Sequence, residues 1–292
     1  MPIRLGIATP AVPREPALLT DGFCKWATDL GVTVLGTHLG PTPADVEPHA
    51  AEICARLEGW GLTIVQATGY NPVLIGEDEA RRAADLARLT DGFRVAGKLG
   101  SPMVLTGCGS YHPTHHYGPH PGNHSARARD RMIAFLRDAA PRAGDHGVIL
   151  ALECHLITTL DTPEHIREIV DTVASPHLRV NFDPVNLLTG VDDIYASGDR
   201  MAHMLDVLGS RYHWTAHAKD VLIEPRLALH LEETVCGDGV LDWPAYLRCA
   251  ERLGSPEQPA TVLVEHMPAF LAPRGLDFLR HQAAATGIAI VR

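Results

Sequence analysis

The sequence predicts a single-domain α/β fold, a (β/α)8 TIM barrel over residues 1–292. Short β-type apolar runs alternate with longer helical patterns from one end to the other, and eight such units are counted. Alternation of this kind is what a parallel sheet with crossover helices requires. No Gly-rich dinucleotide fingerprint follows the first run, which weighs against a doubly wound sheet.

The strands are expected at Ile3 to Ala8, Val32 to Thr37, Leu62 to Ala67, Pro102 to Thr106, Val148 to Glu153, Leu178 to Asp183, His213 to His217 and Thr261 to Glu265. Between them, Ala44 to Trp60 and Glu79 to Lys98 repeat apolar side chains every three or four positions, the period of an amphipathic helix. Thr42-Pro43 and Thr162-Pro163-Glu164 read as helix starts, and Gly61, Gly100, Gly147 and Gly209 as helix ends. Two irregular stretches, Gly107 to His124 and Asp220 to Gly239, directly follow expected strands. In a barrel they are loops of the catalytic face.

The 292 residues suffice for a large core, and 46% hydrophobic with 21% charged residues is an ordinary globular composition. A formal net charge of −10 argues against nucleic acid or an anionic membrane as partner and favours a small molecule. The cysteines at 24, 54, 108, 154, 236 and 249 show neither finger-like nor scaffold spacing, so they read as reduced thiols of a cytoplasmic protein. No signal-like segment or run of about 18 apolar residues is seen.

Four of the expected strands end on a metal-binding side chain: Glu153, Asp183, His217 and Glu265. Strand ends of a barrel converge on one mouth, so residues far apart in sequence can surround one ion. Three carboxylates and an imidazole suit one hard divalent cation, Mn²⁺ first, with Mg²⁺ or Co²⁺ as alternatives.

The segments Leu152-Glu153-Cys154-His155, Asn181-Phe182-Asp183-Pro184-Val185-Asn186, His217-Ala218-Lys219-Asp220, Gly237-Asp238-Gly239-Val240-Leu241-Asp242-Trp243 and Val264-Glu265 carry a resemblance. Over essentially its full length the chain resembles the xylose-isomerase-like superfamily of sugar-phosphate isomerases, epimerases and dehydratases. The resemblance implies that Glu153, Asp183, His217 and Glu265 bind the cation. It also implies a carbohydrate-like substrate whose carbonyl and adjacent hydroxyl the cation grips, stabilising an enediolate once the intervening proton is removed.

Within that resemblance, Glu153-Cys154-His155 is similar to the dehydratase branches and to the α-subunits of C-glycoside deglycosidases. It departs from the Glu-Pro-x-Asn of ketose epimerases. The first expectation is therefore a metal-dependent lyase acting on a keto-sugar, 3-keto-glycoside or cyclitol-like ketone. Its base would be His155, lying two residues beyond Glu153 in extended chain and so on the same side. A deglycosidase would require a small partner subunit, and homo-oligomerisation is left open. The alternative is a sugar isomerase or epimerase with Glu153 and Glu265 as acid/base pair. A non-catalytic barrel or an AP-endonuclease-like phosphodiesterase ranks lower, the latter because it needs more metal ligands and a basic face.

Lys219 is expected to contact substrate hydroxyls or a developing oxyanion, and Asp220 to pair with a neighbouring cation. His38, Asn186, Arg226 and His120 are the candidate substrate contacts. The histidine-rich tract Tyr111 to His124 reads as a lid, with Asn123 capping the helix that follows.

Overall fold

The computed structural model describes residues 1–292 apart from Pro41 and Tyr70. Its strands are β1 (Ile3–Ile7), β2 (Val34–His38), β3 (Thr63–Thr68), β4 (Met103–Thr106), β5 (Ile149–Leu152), β6 (Leu178–Phe182), β7 (Tyr212–Ala218), β8 (Asp220–Ile223), β9 (Leu231–Thr234), β10 (Ala260–Val264) and β11 (Ile290–Val291). Strands β1 to β7 and β10 form eight parallel neighbours, and β10 pairs with β1 to close the barrel. The fold is the expected single-domain (β/α)8 barrel.

The helices are α1 (Asp21–Asp29), α2 (Ala50–Gly59), α3 (Glu79–Lys98), α4 (Ala126–Asp145), α5 (Pro163–Val173), α6 (Val191–Tyr195), α7 (Ser197–Leu208), α8 (Trp243–Glu251) and α9 (Ala272–Thr286). Local chemistry sets several of their starts. Thr20, Asp78, Ser125, Thr162 and Asp242 each accept a backbone N–H of the first turn, which satisfies donors with no partner inside the helix. Thr162-Pro163 opens α5 as expected. Gly100 and Gly147 follow α3 and α4 at φ +71° and +68°, a conformation that costs glycine little.

Three expectations are corrected. The segment from Ala44 to Trp60 is not one helix: Pro43–Asp45 and Glu47–His49 are 3-10 turns, and α2 begins only at Ala50. Pro48 explains the break, since it has no N–H to give. Asn123 does not cap α4; Ser125 does. The stretch Asp220 to Gly239 is not irregular, because β8 and β9 pair there as an antiparallel hairpin.

Strand alternation sorts the side chains into two sets. Leu150 and Leu152, Val180 and Phe182, Ala216 and Ala218, and Val262 and Val264 join the large core beneath the helices. Residues of opposite parity point into the barrel, where Ala8, Val34, Val65 and Leu263 make one small apolar cluster and Met103, Leu105 and Ala151 another. Gly6 and Gly36 let Leu263 into this interior: a Cβ on Gly6 would strike Val34 and Leu263, and one on Gly36 would press on Ala8 and Leu263. Continuing the inward series by two residues gives Glu153, Asp183, His217 and Glu265. All six cysteines are free thiols. Among the described residues no helix is long and apolar enough to cross a membrane.

Candidate metal centre

The ligand atoms of Glu153, Asp183, His217 and Glu265 all lie within 4.8 Å of one another. His217 Nδ1 is 2.8 Å from Glu265 Oε2, 3.4 Å from Asp183 Oδ2 and 3.9 Å from Glu153 Oε1. Its other ring nitrogen, Nε2, lies 2.9 Å from the side-chain oxygen of Gln66. An Nε2–H donated to that oxygen leaves Nδ1 as the coordinating nitrogen, the arrangement typical of a metal-bound histidine. Tyr246 donates its hydroxyl to the His217 carbonyl at 2.7 Å and so fixes the backbone as well.

Lys219 is buried beside the ligands, its Nζ 2.8 Å from Asp183 and 3.3 Å from both Glu265 and Glu233. Burial would push its ammonium down, but Asp183, Glu265 and Glu233 hold it well above the ordinary lysine value. One ammonium among the carboxylates of Glu153, Asp183 and Glu265 leaves an excess of two negative charges. A divalent cation neutralises them, and the hard oxygen donors fit it. Asp183 Oδ1 points the same way, being buried without a hydrogen-bond partner among the described residues. Burial lowers the His217 pKa and the charges of Glu265 and Asp183 raise it, to about 10. A bound cation would displace that proton from Nδ1.

The two glutamates are not equivalent. Burial and the Glu265 charge push the Glu153 carboxyl up, whereas His217 and Lys219 outweigh burial at Glu265 and hold it well below the usual range. Both line a cavity of about 280 Å³, together with His38, Arg14, Gln66, Thr68, Tyr117 and His266. Tyr117, from the histidine-rich loop, donates its hydroxyl to Glu153 Oε2 at 2.8 Å. Gly107 makes room for that ring, since a Cβ there would collide with it.

The remaining sequence candidates divide. His38 lines the cavity and accepts the Gly40 N–H on Nδ1 at 3.0 Å. Asn186 is buried and gives its amide to Asp183 Oδ2 at 2.9 Å, so it orients a ligand and does not line the cavity. Arg226 is exposed and pairs with Glu224, away from the cavity lining. His120 is also exposed, its Nδ1 accepting the Gly122 N–H.

His155 is half-buried and does not line the cavity. β5 ends at Leu152, and the His155 N–H reaches the Leu160 carbonyl just ahead of a turn at residues 156–157. Burial and Lys219 push its imidazole down while Asp183 and Glu233 oppose them, so the ring stands within the field of the metal-centre charges. Its ring lies 6.0 Å from that of Tyr117. Among the described residues Asp220 pairs with no cation. Its carboxylate accepts the N–H groups of Val221, Gly237 and Leu241 and the Trp243 indole at 2.8–3.0 Å.

Sequence reasoning missed Gln66, Tyr117, Arg14, Glu233 and His266. His266 bonds Glu233 at 2.6 Å and lies 3.6 Å from Glu265. Burial raises the Glu233 carboxyl, but His266 and Lys219 outweigh it and bring it to about 2. Only position carries a signal here: His266 directly follows a ligand, and Gln66 is a lone polar residue inside an apolar run. Among the described residues the other group of potential ligands is Glu224, His230 and Glu232 on the hairpin, away from the strand ends. The additional strand-end ligands of an endonuclease-like cluster are thus not found.

The family model for xylose isomerase-like TIM barrels matches residues 24–282. The chain belongs to that family. No curated protein sequence matches it. Among solved structures it is similar to D-psicose 3-epimerase from Clostridium cellulolyticum H10, at 17% identity and TM-score 0.70, with 96% of this chain and 99% of that one covered. It is similar to 3-keto-D-glucoside 4-epimerase from E. coli, at 15% identity and TM-score 0.68 over 96% and 99%. A third is a xylose isomerase-like barrel protein from Mycobacterium smegmatis in complex with magnesium, at 17% identity and TM-score 0.70 over 98% and 97%. At these identities the likeness is one of fold.

Proposed function

We propose that the protein is a divalent-metal-dependent isomerase or epimerase of a carbohydrate ketone, with Glu153 and Glu265 as its acid/base pair. The observation that carries the reading is that both glutamates line one cavity of about 280 Å³. Two acids facing one substrate space suit proton removal and return. A cation of the Mg²⁺, Mn²⁺ or Co²⁺ type, held by Glu153, Asp183, His217 and Glu265, supplies Lewis acidity toward a carbonyl and its neighbouring hydroxyl.

The chain does the rest. One glutamate takes the proton from the carbon between carbonyl and hydroxyl, and the other returns a proton from the opposite side. Lys219 keeps Glu265 ionised, and Tyr117 aims the Glu153 carboxylate. The epimerase relatives support this reading at the level of chemistry they share by name.

Elimination is the second reading. It is favoured by His155, whose Nε2 makes no hydrogen bond among the described residues and whose ring stands beside Tyr117. Incubating the Mn²⁺-loaded protein with keto-sugars and 3-keto-glycosides in D2O separates the two. The expected result is deuterium at the carbon next to the carbonyl in a product isomeric with the substrate. Loss of water or an aglycone would replace the proposal with the lyase, and no exchange in any substrate would refute both. Glu153→Gln and Glu265→Gln should each lower exchange by roughly a hundredfold or more. Asp183→Asn should reduce bound metal by elemental analysis.

A further inference from the structure

We infer that the substrate has two rings, and that the second, a hydroxylated ring, sits in a cavity between the start of α3 and the histidine-rich loop. The inference rests on the reading of the metal centre as a carbohydrate site. The metal cavity, at about 280 Å³, is at or below the low end of ordinary ligand sites, about 300–1,000 Å³. A second, larger cavity of about 520 Å³ shares the lining residue Asn71 with it.

One loop walls the two spaces. Tyr117 puts its hydroxyl on the metal ligand Glu153, while the preceding His116 packs edge-on against the Tyr117 ring at 4.8 Å and lines the second cavity. The wall is built before any ligand arrives. Ser110 bonds the Gly118 carbonyl at 2.5 Å, and the Asn123 amide bonds the carbonyls of Gly118 and Ile157 at 3.2 and 2.9 Å.

The lining describes the guest. His112 and His115 set their rings 5.1 Å apart on one side, giving flat faces against which the C–H face of a sugar ring can pack. Arg81, whose side chain is mostly exposed, offers donors to hydroxyls around such a ring, while Glu77 pairs with Arg127 and the buried Asp85 carboxylate accepts the Val73 N–H. Charges of both signs suit a neutral polar guest better than an anion. A metal is not the occupant these histidines suit: His112 Nδ1 already accepts the N–H groups of Thr114 and His115, and among the described residues the loop forms no ligand cluster.

Calorimetry on the Mn²⁺-loaded protein tests the inference with three probes: methyl 3-keto-β-D-glucopyranoside, its phenyl counterpart and 3-ketocellobiose. The two-sugar probe should bind at least tenfold more tightly than the methyl glycoside, with the phenyl glycoside between them. In a His115→Ala, Arg81→Ala double variant that ratio should fall toward one while bound metal stays at the wild-type level. Equal affinities, a ratio the double variant does not change, or no binding of any probe would overturn the inference. A one-ring substrate that exchanges deuterium while the ratio stays at one would retain the proposed function and reject the two-ring substrate alone.

Discussion

The two long loops on the catalytic face, Gly107 to His124 and Asp220 to Gly239, look alike in sequence and are built by different means. Each sends one side chain to the metal centre, Tyr117 onto Glu153 and Glu233 onto Lys219. The first has no strand and hangs on a neutral hub: Asn123 accepts the Tyr111 N–H and gives its amide to Gly118 and Ile157. The second is a hairpin rooted on a carboxyl hub, Asp220, which collects four N–H donors from residues 221 to 243. Gly239 completes that root, since a Cβ there would strike the Asp220 carboxylate. A buried polar side chain with every bonding position used can replace regular structure in fixing a loop, and a charged one fixes it more firmly.

Three substitutions can break or sharpen this contrast. Asp220→Ala should have the largest effect, because it strands several buried donors at once. A loss of about 3 kcal/mol or more is expected in urea unfolding, and a loss below about 1 kcal/mol would show that the hairpin is held elsewhere. Asn123→Ala should cost less, about 2 kcal/mol, since its bonds are neutral, and limited proteolysis should then cut within residues 107–124. An equal or larger loss than for Asp220→Ala would reverse the ranking of the hubs. Tyr117→Phe should change stability least, by no more than about 1 kcal/mol, yet weaken metal binding or turnover by about tenfold, the scale for a side chain that orients a ligand. Unchanged metal affinity and turnover would leave Tyr117 as loop packing only.

The same contrast marks how far the sequence could be read. The barrel and its four ligands are legible because alternation in a strand fixes which side chains face inward, so Glu153, Asp183, His217 and Glu265 follow from period and position. That logic fails where the strand stops. β5 stops at Leu152, and His155 lies beyond it, outside the cavity lining and beside Tyr117. Tyr117 arrives through a loop with no period and Glu233 on β9, a strand outside the barrel, and their partners lie 36 and 14 residues away. His266 takes φ +56°, a conformation no pattern of apolar residues announces. Asn186 bonds Asp183, and Asp220 gathers backbone and indole N–H groups; neither partner is legible in advance, because a polar residue beside a site equally well serves substrate, ligand or backbone.

The glycines at 6 and 36 have a consequence for the C-terminal end of β10. They admit Leu263 to the barrel interior, and Leu263 is the inward residue just below Glu265. A side chain added at either glycine would press on that leucine, so the backbone that presents Glu265 rests on a pair of missing side chains on two other strands.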